Sequence, residues 1–249
     1  MIDLSSFKHF NHIEVFDELP STNEYALDKC NQGKINTGTI IIAKHQTAGK
    51  GRFGNNWDSN LGDLFVSYII RPQCLEKDIY KVTIPFSLAT HKALLNYIPV
   101  NVDLRIKWPN DLLLQGKKCG GILANYEKKS QLVIIGLGIN LNSEWPISDN
   151  RLSFGNLMSQ QLEIETIFYD ITQSIDDNFQ DISSCNIDCK SWNSSSAFLN
   201  QDVIVSENSN QIIGEFKGIS DCGSALIKNM GQIKKVKNGI NFRLARHLS

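Results

Sequence analysis

The chain has 249 residues, 41% of them hydrophobic and 20% charged, enough to build a core in one large domain or in a medium and a small one. Its 25 Lys+Arg against 26 Asp+Glu leave a net charge of −1, which excludes a general nucleic-acid binder and a disordered tail. The N-terminus, MIDLSSFKHFNHIEVFDE, lacks the basic start and apolar run of a secretory signal, and no run approaches the roughly 18 apolar residues of a membrane span. Six cysteines, at 30, 74, 119, 185, 189 and 222, include one close pair with no histidine nearby. Reduced structural thiols in a cytoplasmic protein are therefore expected.

In chain order, Ile13–Phe16 predicts a first strand, and Pro20-Ser21-Thr22-Asn23-Glu24 opens a helix running to about Asn31, with a hydroxyl placed to cap it. Thr39–Ala43 is a β-branched strand, and residues 45–57 form a polar loop rich in glycine and asparagine. Leu64–Ile70 predicts a strand buried on both faces, and Ile84–Ile98 a helix with Pro85 in its first turn. Leu104–Trp108, Leu112–Leu114, Gly121–Tyr126 and Gln131–Leu137 follow as strands. The turns Gln115-Gly116-Lys117 and Lys128-Lys129-Ser130 make this region antiparallel. The apolar spacing of Ile164, Ile167, Phe168, Ile171, Ile175 and Phe179 predicts one amphipathic helix. The polar stretch Ser183–Ser196 reads as the approach to a domain boundary. From Ala197 five short strands, near 203–205, 211–218, 225–228, 234–236 and 241–244, predict a small barrel. The expected architecture is α+β: a mixed, mostly antiparallel sheet flanked by helices over 1–196, and a barrel over 197–249.

Gly49-Lys50-Gly51-Arg52-Phe53-Gly54 fits G-x-G-x-x-G after a strand, but turn residues follow where the dinucleotide fold needs a helix. What survives is a loop that brings backbone and two cations to an anion, with Trp57 able to lie over a flat ring, or else an ordinary basic surface loop. Lys107-Trp108-Pro109-Asn110-Asp111 places a cation and a carboxylate around a rigid turn at a strand end. There Asp111 is a candidate Mg²⁺ ligand, against the plain alternative of a strand-ending turn. Gly120-Gly121 beside Lys118, and Gly136 with Gly138, mark close approach of a backbone or ligand, or a bulge. No nucleophilic triad is present. The chemistry on offer is cationic, from Lys50, Arg52, Lys107 and Lys118, and suits stabilising phosphoryl transfer.

Taken together and in this order, Ser21-Thr22-Asn23, the segment Gln46 to Trp57, Lys107–Asp111, Lys118 with Gly120-Gly121-Ile122-Leu123, and Gly136–Asn140 resemble the biotin–[acetyl-CoA-carboxylase] ligase family. The resemblance implies a class II synthetase-like, biotin–lipoyl ligase-like catalytic domain followed by an SH3-like barrel. It implies that biotin and ATP, with Mg²⁺, give biotinyl-5′-AMP, from which a lysine of a biotin carboxyl carrier domain takes the biotin. By resemblance, Ser21, Thr22, Gln46, Gly49, Lys50, Arg52, Lys118 and Gly121 bind biotin. Arg52, Trp57, Asn110, Ile122 and Asn140 face the nucleotide, and Lys118, Arg52 and Lys50 are catalytic, with Lys118 foremost.

The chain departs from the family in having Lys50 where arginine is usual, and Asn55 and Asn56 where basic residues are common. The 20 residues before Ser21 leave no room for a helix-turn-helix, so a ligase without DNA binding is expected. Pairing into a homodimer is left open. Two alternatives stand beside the ligase: a lipoate or octanoate ligase or transferase of related fold, and a biotin-binding sensor without turnover.

Overall fold

The computed structural model describes residues 3–146, 148–207, 210–237 and 239–245. Strands β1 (His12–Leu19), β2 (Thr39–Gln46), β3 (Leu64–Ile70), β4 (Leu104–Lys107), β5 (Asp111–Leu114), β6 (Lys117–Glu127) and β7 (Leu132–Ile139) form one sheet in the order β1-β2-β3-β7-β6-β5-β4. The β1–β2 pair is parallel and the other neighbours are antiparallel. That is the mixed, mostly antiparallel sheet expected. The β5–β6 connection is a two-residue turn, Gln115-Gly116, with both residues at positive φ.

Alternation along the strands divides the sheet into two faces. Val66, Tyr68, Ile122, Ile135, Leu137, Leu112 and Ile106 face a large core built with α2 (Thr83–Leu94) and α4 (Ile164–Asp177). Ile41, Ile69 and Ile134 face the opposite way and are covered by α1 (Thr22–Asn31). Helix α1 covers only part of that second face, and the rest, over β7, β6, β5 and β4, is left for the site.

The helix predicted to reach Phe179 stops at Asp177. Asn178 leaves helical geometry at φ −103°, ψ 16°, and α5 (Phe179–Ser184) starts in a new direction. The break lets Phe179 stack flat on His9, with centroids 4.0 Å apart, while buried Asp176 accepts from the His9 backbone N–H at 2.9 Å. The polar stretch 183–196 is more ordered than its composition suggests. It contains α6 (Cys189–Ser195), whose fully buried Trp192 donates its indole N–H to the Ser87 hydroxyl at 3.1 Å. The short α3 (Phe154–Met158) precedes α4 in the chain.

Strands β8 (Asp202–Glu207), β9 (Asn210–Ile219), β10 (Ala225–Asn229), β11 (Gln232–Val236) and β12 (Ile240–Leu244) form a second, antiparallel sheet in the order β11-β10-β9-β8-β12, the small SH3-like barrel expected. Its core joins the first. Trp108 at the end of β4 packs edge-on against Phe242 at 5.6 Å and donates its indole N–H to the Gly223 carbonyl at 3.0 Å. No helix among the described residues is long and apolar enough to cross a membrane.

Candidate active site

The uncovered half of the second sheet face forms a cleft of ≈ 290 Å³. It is lined by Ser21, Thr22 and Gln46 at one end, by Lys107, Asn110, Asp111 and Lys118 at the other, and by Lys50, Arg52 and Trp57 over the top.

The first end is neutral and buried. Ser21 caps α1, its hydroxyl accepting from the Glu24 N–H at 3.3 Å. The Gln46 Oε1 at the end of β2 accepts from the Thr22 N–H at 2.8 Å and the Thr22 hydroxyl at 3.3 Å, and its amide donates to the Ser59 hydroxyl at 3.2 Å. Ser67 on β3 donates to the Thr22 Oγ1 at 2.9 Å. Among the described residues this leaves the Ser21 hydroxyl hydrogen and one Gln46 amide hydrogen uncommitted. Asn23, which sequence reasoning quoted without a role, lies over Gly136. A Cβ on that glycine would stand 2.9 Å from the Asn23 Nδ2, so the missing side chain lets α1 approach the sheet.

The other end is charged. Asp111 pairs with Lys118 at 2.7 Å and with Lys107 at 3.3 Å, one lysine on each carboxylate oxygen. Lys118 reaches this position through a bulge. β5 and β6 pair as Asp111↔Gly121 and Leu112↔Gly120, then as Leu113↔Lys118, so Cys119 is one residue too many. Strict alternation would put Lys118 with Gly120 on the core face. The extra residue turns it to the face of Gly121 and Asp111, into the cleft, while Cys119 is buried. Asn110 is fixed by donating its Nδ2 to the Ile122 carbonyl at 2.9 Å, and its Oδ1 accepts from the Arg52 Nη1 at 2.9 Å. Burial pushes the Arg52 guanidinium below its ordinary pKa, with Asp111 acting in the opposite direction.

The glycine loop folds on itself as a small hairpin. Gly51 N–H donates to the Asn55 carbonyl at 2.7 Å and Trp57 N–H to the Gly49 carbonyl at 2.9 Å, and Lys50 and Asn56 form a bridge. Its last residue, Trp57, lies on the sheet. A Cβ on Gly138 would fall 2.6 Å from the indole and one on Gly121 2.9 Å from it, so these paired glycines form the seat of the ring. The Lys118 ammonium stands 5.2 Å from the ring centroid, and the Trp57 indole N–H is buried with no hydrogen-bond partner among the described residues. Lys50 points toward Glu24, 3.8 Å away.

Most of the predicted residues therefore converge: Ser21, Thr22, Gln46, Lys50, Arg52, Trp57, Asn110, Asp111, Lys118, Gly121 and Ile122 line the cleft. Gly49 and Asn140 do not. Gly49 is packed under the Trp57 carbonyl, and Asn140 is buried, its backbone N–H bonded to the Cys119 carbonyl at 2.8 Å. Asn140 thus sits behind the bulge rather than in front of it. Sequence reasoning missed Gly239, Ile240, Asn241 and Phe242, which bring the second sheet to the cleft wall. The pairing of Trp108 with Phe242 was the signal, and no local pattern could join them.

Asp111 does not fit a resident metal ligand. Among the described residues it is the single carboxylate lining the cleft, and an ammonium already occupies each of its oxygens. Among the described residues no group of three or more His, Cys, Asp or Glu side chains is placed to hold an ion.

The chain is similar to the bifunctional ligase/repressor BirA of Bacillus subtilis, 27% identical over 236 residues, covering 90% of this chain and 72% of that protein. It is 35% identical over 124 residues to the biotin–[acetyl-CoA-carboxylase] ligase of Paracoccus denitrificans, covering 49% of this chain and 51% of that one. The structure of a biotin protein ligase from Aquifex aeolicus in complex with biotin and ATP superposes with a TM-score of 0.82 at 27% identity, covering 96% of this chain and all of that one. Residues 15–140, which hold all of the cleft but the wall from the second sheet, match the model of the biotin/lipoate A/B protein ligases, and the chain belongs to that family.

Proposed function

We propose that this chain is a biotin–protein ligase, which joins biotin to ATP and passes the biotin to a lysine of a carrier protein. The observation that carries this reading is the polarity of the cleft, neutral and hydrogen-bonding at one end and cationic at the other. The substrate it fits is an acid with a polar, uncharged head.

The Ser21 hydroxyl and the Gln46 amide offer donors to the ureido oxygen. The rigid Thr22–Gln46–Ser67 network holds them in place. At the other end the biotin carboxylate attacks the α-phosphorus of ATP, a P–O bond forms, and pyrophosphate leaves with the electrons of the broken bond. Lys118 faces both reacting groups and offsets the charge that gathers there. It acts first because Asp111 holds its ammonium in the cleft rather than in bulk water. Arg52, fixed by Asn110, and Lys50 bring further positive charge from the loop. Trp57 presents a flat face to the purine. In the second step the carrier amine attacks the acyl carbon, AMP leaves, and the amine proton passes to solvent or to the departing phosphate. ATP would carry Mg²⁺ as the counterion of its phosphates, and the charge neutralisation such an ion would supply there needs no protein ligand. We set the boundary between catalytic domain and barrel at 196/197, supported by the end of α6 at Ser195 and the start of the second sheet at Asp202.

The test is pyrophosphate release with ATP, Mg²⁺ and either biotin or lipoate, followed by addition of a biotin carboxyl carrier domain. Biotin-dependent release followed by a mass increase on one carrier lysine is expected. Release with lipoate alone would move the chain to the lipoate branch, and biotin binding with no pyrophosphate would leave a sensor.

A further inference from the structure

Two parts of the cleft that are far apart in sequence are tied together by one arginine that the reaction as described does not use. Segment 150–152 lies along the bulged start of β6 and bonds to both main-chain groups of Lys118. The Lys118 N–H donates to the Asn150 carbonyl at 2.8 Å, and the Leu152 N–H donates to the Lys118 carbonyl at 2.9 Å. The residue between them, Arg151, turns its guanidinium the other way, to Asp58, the residue after Trp57. The same guanidinium is held by Asp149 through Nε at 2.9 Å and Nη2 at 2.7 Å, and it stacks 3.7 Å from the centre of the Trp145 ring. Planar, bidentate and stacked contacts of this kind fix an arginine far better than a single exposed ion pair does.

We propose that Arg151 is a positioning residue for adenylation, a latch that holds the Trp57 end of the glycine loop in register with the bulge presenting Lys118. This rests on the ligase reading above. Without the latch, Trp57 is tied to its own hairpin, to its seat on Gly121 and Gly138 and to the Lys118 ammonium over its ring, but among the described residues the Asp58 carboxylate has no other ion pair to the Lys118 strand. The nucleotide and the acid must meet between these two parts. A shift of about 1 Å between groups that position reactants can cost up to ~10²-fold in rate.

The experiment uses the full chain, with the steady-state kinetics of biotin-dependent pyrophosphate release and the melting temperature measured for each variant. Asp58→Ala removes only the cross-link, at a side chain that is 62% exposed, so the fold should survive even if Arg151→Ala does not. Each variant is expected to lower kcat by about tenfold with a small change in KM for biotin, and Asp58→Ala to do so with little change in Tm. Arg151→Lys should recover part of the loss. The double variant should be no slower than the slower single one, because both remove the same link. Unchanged kcat in Asp58→Ala, or losses that multiply in the double variant, would overturn the latch and leave the ligase standing. A wild-type chain that releases no pyrophosphate with biotin would overturn the ligase reading and the latch with it.

Discussion

The two ends of the cleft are built on opposite principles. At the Thr22–Gln46 end the polar atoms are buried and nearly all paired with one another, so few hydrogen-bonding positions are left for a ligand. At the Lys118–Asp111 end the groups are charged, partly exposed and paired in a way that an incoming anion can rearrange. The first arrangement selects, because a buried donor or acceptor left unpaired costs about 1–3 kcal/mol whichever ligand leaves it so. The second accelerates, because fixed charge counts most where charge gathers during the reaction.

Substitutions at the two ends should therefore fail differently. Lys118→Ala should lower adenylate formation by about 10²-fold or more while biotin still binds, as read from the pyrophosphate burst beside a binding isotherm. A near-normal burst would remove Lys118 from the reaction. Gly138→Ala tests the middle of the cleft, since its new Cβ would stand 2.6 Å from the Trp57 ring. The indole should leave its seat, at a cost of about 1–3 kcal/mol of stability. KM for ATP should rise about tenfold, and unchanged Trp fluorescence and KM would show that the seat is unused. Gln46→Leu leaves the buried Thr22 N–H without its acceptor and should weaken biotin binding by about tenfold, a loss within that 1–3 kcal/mol, with KM for ATP kept. An equal loss for both substrates would erase the difference between the ends.

The smallest effect concerns acid. The Asp149 carboxyl is held at about 2, below its ordinary 3.8, chiefly by its hydrogen bonds from Arg151. A depressed carboxyl pKa stabilises the fold above the unfolded value, and that contribution fades as the pH falls from about 4 toward about 2. In Arg151→Ala the Asp149 carboxyl, followed by NMR, should titrate back near 3.8. A value that stayed near 2 would mean that Arg151 is not the cause.

Much of this was legible in the chain. The strand and turn patterns of residues 39–137 and the five strands after Ala197 come from local periodicity, and they stand close to where they were expected. The motif residues converge because they sit at strand ends, on a helix cap, in the glycine loop or beside the paired glycines of β6, all of which the pattern already marked. What was not legible depends on pairing between distant segments. Nothing local announces that Cys119 is a bulge, that Gly121 and Gly138 stand opposite each other to seat Trp57, or that Phe242 meets Trp108. The break at Asn178 was hidden for a similar reason: the apolar spacing runs through it, and its cause, the stacking of Phe179 on His9, comes from the other end of the chain.

The bulge at Cys119 also says something about which changes this segment can tolerate. The buried thiol takes part in no hydrogen bond with another side chain among those described, so a small apolar residue could replace it with little effect on the charge next door. Removing the position altogether should be tolerated as well. With one residue fewer, β6 would pair with β5 without interruption, and Lys118, then next to Gly120 and still opposite Leu113, would stay on the face of Gly121 and Asp111. What would misplace it is the opposite event, Cys119 drawn into regular pairing with Leu113, which would move Lys118 to the core face with Gly120. The bulge is thus a splice that lets the strand carry a spare residue, and a descendant of this protein could discard that residue and keep its chemistry.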